Sequence, residues 1–146
     1  MFAVRYAVEE DIIYWRGLDP HITEAELRRK IAGLRGYVLE NDHVPIGVMR
    51  YNLFWDSIPC LTMMYFEAAW RRKGCGTLAM RHWEKELCAK GYRYAMISTQ
   101  ADEEAQFFYR KMGYKDNGCL FFSLPGIEQP PELMMIKQIR RVDEDV

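Results

Sequence analysis

The segment Phe66-Glu67-Ala68-Ala69-Trp70-Arg71-Arg72-Lys73-Gly74-Cys75-Gly76-Thr77-Leu78 carries the sharpest chemical signal in the chain. A strand reads up to Phe66, and a helix begins across Gly74 and Gly76. Unpaired N–H groups at a helix start point outward, and glycines let a ligand approach the backbone closely. Arg71, Arg72 and Lys73 add positive charge at the same place. This chemistry suits an anion, and a pyrophosphate is the obvious fit. Two other readings share the pattern. Gly74-x-Gly76-x-x-Ala79 meets the loose dinucleotide fingerprint. That fingerprint wants an acid about 20 residues on to hold a ribose, and Tyr94-Ala95-Met96-Ile97-Ser98-Thr99 has none. The same residues could also make only a tight, solvated strand-to-helix turn. Cys75 within the loop reads either as a redox-sensitive thiol or as a small filler between two glycines. His21, His43 and His82 read as surface or turn residues. With Cys60, Cys75, Cys88 and Cys119 they show no zinc-ligand spacing, so no metal is expected.

Alternating strands and helices must position that turn. A strand is expected over 2–8 and a short helix over 9–16, broken at Asp19-Pro20. A second helix starts at Thr23, with Glu26 completing a capping box and Ile22 and Leu27 a hydrophobic staple, and runs to Gly33. Strands at 36–40, 45–54 and 61–66, with turns at 41–43 and 55–57, predict an antiparallel meander. The helix after the glycine turn runs to about Lys90 and stops at Gly91, with Met80, Trp83 and Leu87 on its buried side. Glu86 and Lys90 are spaced to pair. A strand over 92–98 follows, then a helix over 102–112 ending at Gly113. Strands at 119–124 and 133–139 flank a loop holding Pro125, Gly126, Pro130 and Pro131. The order is α+β: a central mixed, mostly antiparallel twisted sheet of six to seven strands flanked by about four helices.

At 146 residues, 49% hydrophobic and 28% charged, the chain has the size of one domain and enough apolar content for a core. One domain over 1–140 is expected, with 141–146 as a charged C-terminal tail. Lys plus Arg total 20 against 21 Asp plus Glu, a formal charge of -1. That balance carries no global field for nucleic acid or an anionic membrane. No apolar run approaches a membrane span and the N-terminus has no signal-peptide pattern. Four scattered cysteines fit a reducing, cytoplasmic compartment.

The chain resembles the GNAT superfamily of acyl-CoA-dependent N-acetyltransferases. Arg71-Arg72-Lys73-Gly74-Cys75-Gly76 fits the (Q/R)-x-x-G-x-G/A loop. Ala105-Gln106-Phe107-Phe108-Tyr109-Arg110-Lys111-Met112-Gly113-Tyr114 fits the A-x-x-(L/F)-Y-x-x-x-G-(F/Y) helix after the next strand. The resemblance implies acetyl-CoA as co-substrate. It implies that the main chain at Tyr65 and Phe66 grips the pantetheine where two parallel strands splay, with the Phe66 N–H facing the thioester oxygen. The backbone of Arg71, Arg72, Lys73, Gly74, Cys75 and Gly76, with Thr77, would hold the pyrophosphate. Tyr109 would be the general acid for the departing thiolate. Asp102 stands where many members carry a cofactor-binding Asn. Aspartate caps a helix as well as asparagine does but donates no amide N–H.

Attack on a thioester needs a neutral amine, and a lysine-like amine with a pKa of ~10.4 is mostly protonated at pH 7. A base must take the proton, directly or through water. A backbone N–H aimed at the oxyanion contributes about 3 kcal/mol. A phenol can then protonate the leaving thiolate, whose pKa is ~8.5 like that of cysteine. The resemblance implies a glutamate base on the strand into the glycine loop or on the next strand, but 59–66 and 93–99 contain no acid, which leaves Glu67, Asp56, Glu103, Glu104 or a held water as base. Glu67 is chosen because it sits beside the expected thioester site. The aromatic stretch 51–56, together with Trp15, is a candidate acceptor-pocket lining, with the 125–131 loop covering it from the other side.

The expected function is acetyl transfer from acetyl-CoA to a primary amine of a small molecule or peptide. A homodimer stays open. The competing readings are a catalytically inactive CoA- or partner-binding domain and a nicotinamide oxidoreductase.

Overall fold

A computed structural model describes residues 1–140, so the expected tail at 141–146 lies outside the described residues. The strands are β1 (Phe2–Tyr6), β2 (Gly36–Asn41), β3 (Val44–Phe54), β4 (Ile58–Phe66), β5 (Tyr94–Gln100), β6 (Lys115–Leu120) and β7 (Glu132–Gln138). The helices are α1 (Ile12–Leu18), α2 (Glu24–Ala32), α3 (Cys75–Ala89) and α4 (Ala105–Lys111). The sheet order is β1-β2-β3-β4-β5-β7-β6. Pairing is antiparallel for β1–β2, β2–β3, β5–β7 and β6–β7, and parallel for β4–β5. This is the mixed, mostly antiparallel sheet that the element order predicts. By contact density the chain groups into two units, Met1–Asn52 with Met63–Trp83, and Leu53–Thr62 with the chain from Glu84 onward.

In the first unit, Ala7, Ile12, Trp15, Ile22, Leu27, Val38 and Val48 form a buried cluster. Tyr6, Tyr37, Tyr51 and Trp83 add a run of ring contacts with successive centroids 5.4, 6.2 and 5.5 Å apart. The first helix starts later than the apolar pattern predicts, because Glu9–Asp11 tighten into a 3-10 turn. Asp11 causes this: its carboxylate accepts the Val8 N–H at 2.8 Å and both terminal nitrogens of Arg5 at 2.8 and 2.9 Å. Only half of the expected capping box forms on α2. The Thr23 hydroxyl accepts the Glu26 N–H at 3.2 Å, while the Glu26 carboxylate pairs with Arg29.

In the second unit, Leu87 of α3 and Ala95, Met96 and Ile97 of β5 are buried with Tyr109, Tyr114 and Met135. Glu84 ties this unit together, accepting from the Tyr114 hydroxyl and the Lys137 ammonium, each at 2.8 Å. The expected Glu86–Lys90 pair forms at 3.1 Å. Strand β6 corrects the sequence reading. It lies at 115–120 rather than 119–124, because β7 provides a ladder for Lys115, Asp116 and Gly118, with a register shift past Asn117, despite their poor strand preference. The apolar residues Phe121 and Leu124, which suggested the strand, are exposed beyond it. Among the described residues no helix is long and apolar enough to cross a membrane.

Candidate functional site

The site begins where β4 outruns its parallel partner. The ladder to β5 covers Cys60–Met96 and Leu61–Ile97, and β4 continues to Phe66. At that far end the Glu67 N–H donates to Ile46 O at 2.9 Å. Peptide groups alternate along a strand, so those of Phe66 point to the opposite edge. Gly47 makes the approach of β3 feasible. A Cβ there would meet Tyr65 O at 2.7 Å and Phe66 Cδ1 at 2.9 Å, distances that only a residue without one avoids.

The chain then turns through a 3-10 segment at Ala68–Trp70 and enters α3. Arg72 takes left-handed backbone at φ +60°, as does Gly74 at φ +82°. For arginine that conformation costs about 1–3 kcal/mol. Leu78 N–H donates to Gly74 O at 3.3 Å and closes the first helical turn. The N–H groups of Cys75, Gly76 and Thr77 precede that first bond, so the helix itself supplies them no acceptor. Cys75 is buried and opens the helix. Two of the three basic side chains lie on aromatic rings beside the turn. Arg71 folds back, its Nε donating to Phe66 O at 3.0 Å and its guanidinium lying 4.6 Å from the Tyr65 ring centroid. Lys73 Nζ lies 5.3 Å from the Trp70 ring centroid.

Beside this strand end the first unit holds a cavity of about 510 Å³. Leu18, Pro20 and His21, between α1 and α2, form one wall. Met63, Tyr65, Glu67 and Arg71, from β4 and the turn after it, complete the lining. Glu67 is half-buried and accepts a hydrogen bond from the Tyr14 hydroxyl at 3.2 Å. Burial first, and then the charge of Glu67, push the Tyr14 phenol well above its ordinary pKa. It therefore stays protonated and remains a donor to the carboxylate.

Two sequence expectations are corrected here. Trp15 and Tyr51 do not line the cavity: both are buried in the core, Trp15 with its indole N–H on Asp19 at 3.1 Å. Trp55 and Asp56 sit in the β3–β4 turn, exposed, at φ +52° and +57°. No residue of 51–56 or 125–131 is in the lining. His21 is an exposed turn residue, as its sequence reading expects, and it also lines the cavity; Tyr14 was missed altogether. Neither carried a sequence signal, because the α1–α2 connection reaches the end of β4 only through tertiary folding.

In the second unit, α4 holds Tyr109 at 7% exposure, edge-on to Tyr114 with ring centroids 6.0 Å apart. Burial, and then the charge of Glu103, push its phenol well above the ordinary tyrosine value. Its hydroxyl finds no hydrogen-bond partner among the described residues. Asp102 does not cap α4. The helix starts at Ala105 with Glu104 as its N-cap, and the side chain makes no cap bond. Instead the Gln106 amide closes the turn, donating to Ala101 O at 2.8 Å and Glu103 O at 2.9 Å. Asp102, Glu103 and Glu104 are exposed. Partial burial, and then Asp102 and Glu132, raise the Glu103 pKa. Among the described residues no group of three or more His, Cys, Asp or Glu could hold a metal.

The fold recurs among solved structures. The ribosomal-protein-S18-alanine N-acetyltransferase of Escherichia coli superposes with a TM-score of 0.82 at 14% identity, covering 100% of this chain and 99% of that one. Ard1 from Thermoplasma volcanium gives 0.81 at 15%, covering 96% and 99%. Naa50 of Arabidopsis thaliana, solved with the bisubstrate analogue CoA-Ac-MVNAL, gives 0.76 at 14%, covering 94% and 98%. At such identities the likeness is one of fold. No protein with a curated description matches the sequence. The family model described as the acetyltransferase (GNAT) domain matches residues 32–116, more than half of the chain and inclusive of both motifs. The chain therefore belongs to the GNAT acetyltransferases, a family of N-acetyltransferases with acetyl-CoA as co-substrate.

Proposed function

We propose that this protein transfers the acetyl group of acetyl-CoA to a primary amine of a small molecule or peptide by direct attack. The observation that carries the reading is the end of β4, which runs past its parallel ladder and leads through a strained turn into a glycine-opened helix start. In this reading the main chain around Tyr65 and Phe66 lies along the pantetheine, and the Phe66 N–H, which faces away from β3, stabilises the oxyanion. The backbone from Arg71 to Gly76, with Thr77, takes the pyrophosphate through amides that the helix leaves unpaired. Asp102 is left out of cofactor binding, since it is exposed and does not cap α4.

Glu67 is the base. It lies in the cavity beside the strand end, and Tyr14 orients its carboxylate. The amine nitrogen attacks the carbonyl carbon, its proton passes to Glu67, and the C–N bond forms. The C–S bond then breaks, and Tyr109 gives its proton to the departing sulfur. A buried phenol with a raised pKa is fully protonated at neutral pH, and a hydroxyl with no competing partner is free to donate. The fold relatives named for alanine and peptide substrates support an amine acceptor of this kind.

The test is a spectrophotometric assay of free CoA released from acetyl-CoA across amine classes. Release that depends on an amine supports transfer. Calorimetric binding of acetyl-CoA with no release from any amine would favour an inactive CoA-binding domain.

A further inference from the structure

Glu67 and Arg71 line the same cavity with opposite charges, and they do not pair with each other. Each is held by something else. Glu67 accepts from Tyr14. Arg71 spends Nε on Phe66 O and rests its guanidinium on the Tyr65 ring. The two terminal nitrogens of Arg71 have no partner among the described residues. A guanidinium presents a planar fork that matches a carboxylate with two parallel hydrogen bonds. Separated opposite charges in one cavity each lack a counter-ion there, so the occupant that satisfies both carries one charge of each sign.

On the reading of the cavity as the acceptor site, we propose that the acceptor is a zwitterion: a primary ammonium facing Glu67 and a carboxylate a few bonds away held by Arg71. The side chain of Arg71 is then a specificity determinant for the acceptor, while its backbone serves the cofactor loop. A polyamine or aminoglycoside fits poorly, because its second ammonium meets Arg71 and the cavity supplies one carboxylate. Leu18, Pro20 and Met63 provide apolar contact for a modest side chain. The carboxylate has two sources, a free amino acid or an acidic first residue of a peptide.

The experiment presents each acceptor as a carboxylate and as its carboxamide. One arm uses alanine and phenylalanine against alaninamide and phenylalaninamide. The other uses a pentapeptide starting with Asp against the same peptide starting with Asn. The wild-type kcat/KM is expected to favour the carboxylate by at least about tenfold in one arm, and that arm identifies the source. Arg71→Gln brings the ratio towards one and Arg71→Lys keeps most of it. Effects of the substitution on acetyl-CoA are common to both members of a pair and cancel in the ratio. A wild-type ratio near one in both arms, an unchanged ratio in Arg71→Gln, or preference for a polyamine overturns the inference while leaving acetyl transfer intact. Release of CoA with no amine at all removes both.

Discussion

Tyr109 and Glu67 show how differently two proposed catalytic groups can be legible. Tyr109 sits in a motif whose spacing, Ala105 to Gly113, defines both the helix and the residue on its inner side. Replacing it with Phe removes one hydroxyl that no described residue uses, so the fold has little reason to change. Tyr109→Phe is expected to keep acetyl-CoA affinity by calorimetry and to lower kcat at least about tenfold. Unchanged turnover would exclude it as the acid. Glu67 has no motif in the sequence, only adjacency to the strand end. The half-buried position and the Tyr14 hydrogen bond give it a defined orientation in the cavity. Glu67→Gln keeps the shape and removes the proton acceptor. The rate is expected to fall about 10²-fold or more, and the kcat/KM pH profile to change shape. A profile that does not move would return the role to a water or another carboxylate.

Among the elements, β4 matters most, and its course depends on a neighbour. Gly47 of β3 lets Tyr65 O and Phe66 approach to distances at which any Cβ would collide. Overpacking of this kind costs about 1–3 kcal/mol. Here the displaced atoms are the main chain proposed to hold the pantetheine. Gly47→Ala should therefore lower the melting temperature and also weaken acetyl-CoA binding several-fold, measured by calorimetry on the folded variant. Loss of stability with unaltered affinity would argue against a cofactor role for the end of β4. Element boundaries elsewhere shifted for local reasons. The carboxylate of Asp11 tightened the entry to α1. The Gln106 amide closed the turn before α4 in place of Asp102.

For the molecule as a whole, acid sensitivity follows from the buried Asp11 carboxylate on Arg5. Burial alone would raise the Asp11 pKa, but the Arg5 guanidinium and the Val8 N–H overcome it and hold the carboxyl below its ordinary value. Glu40 binds the same guanidinium. A lowered folded-state pKa stabilises fully above the unfolded value of about 3.9, and the contribution is lost as pH falls through the folded value. Melting temperature should drop steeply below about pH 4. Asp11→Asn should cost about 1 kcal/mol at neutral pH, because it loses the ionic partner of a part-exposed Arg5 that Glu40 still holds, and make that drop shallower. An identical acid profile in the variant would place the titrating group elsewhere. The sequence by itself determined the α+β class, the glycine-opened helix start and Tyr109 on its helix. These depend on apolar periodicity, glycine placement and short motifs, which act over one or two turns of chain. Only the tertiary structure decided that Trp15 and Tyr51 are core, that Tyr14 and His21 reach the end of β4, and that Glu67 and Arg71 share a cavity without pairing. Those outcomes depend on which distant segments pack together, and no spacing within a segment encodes that.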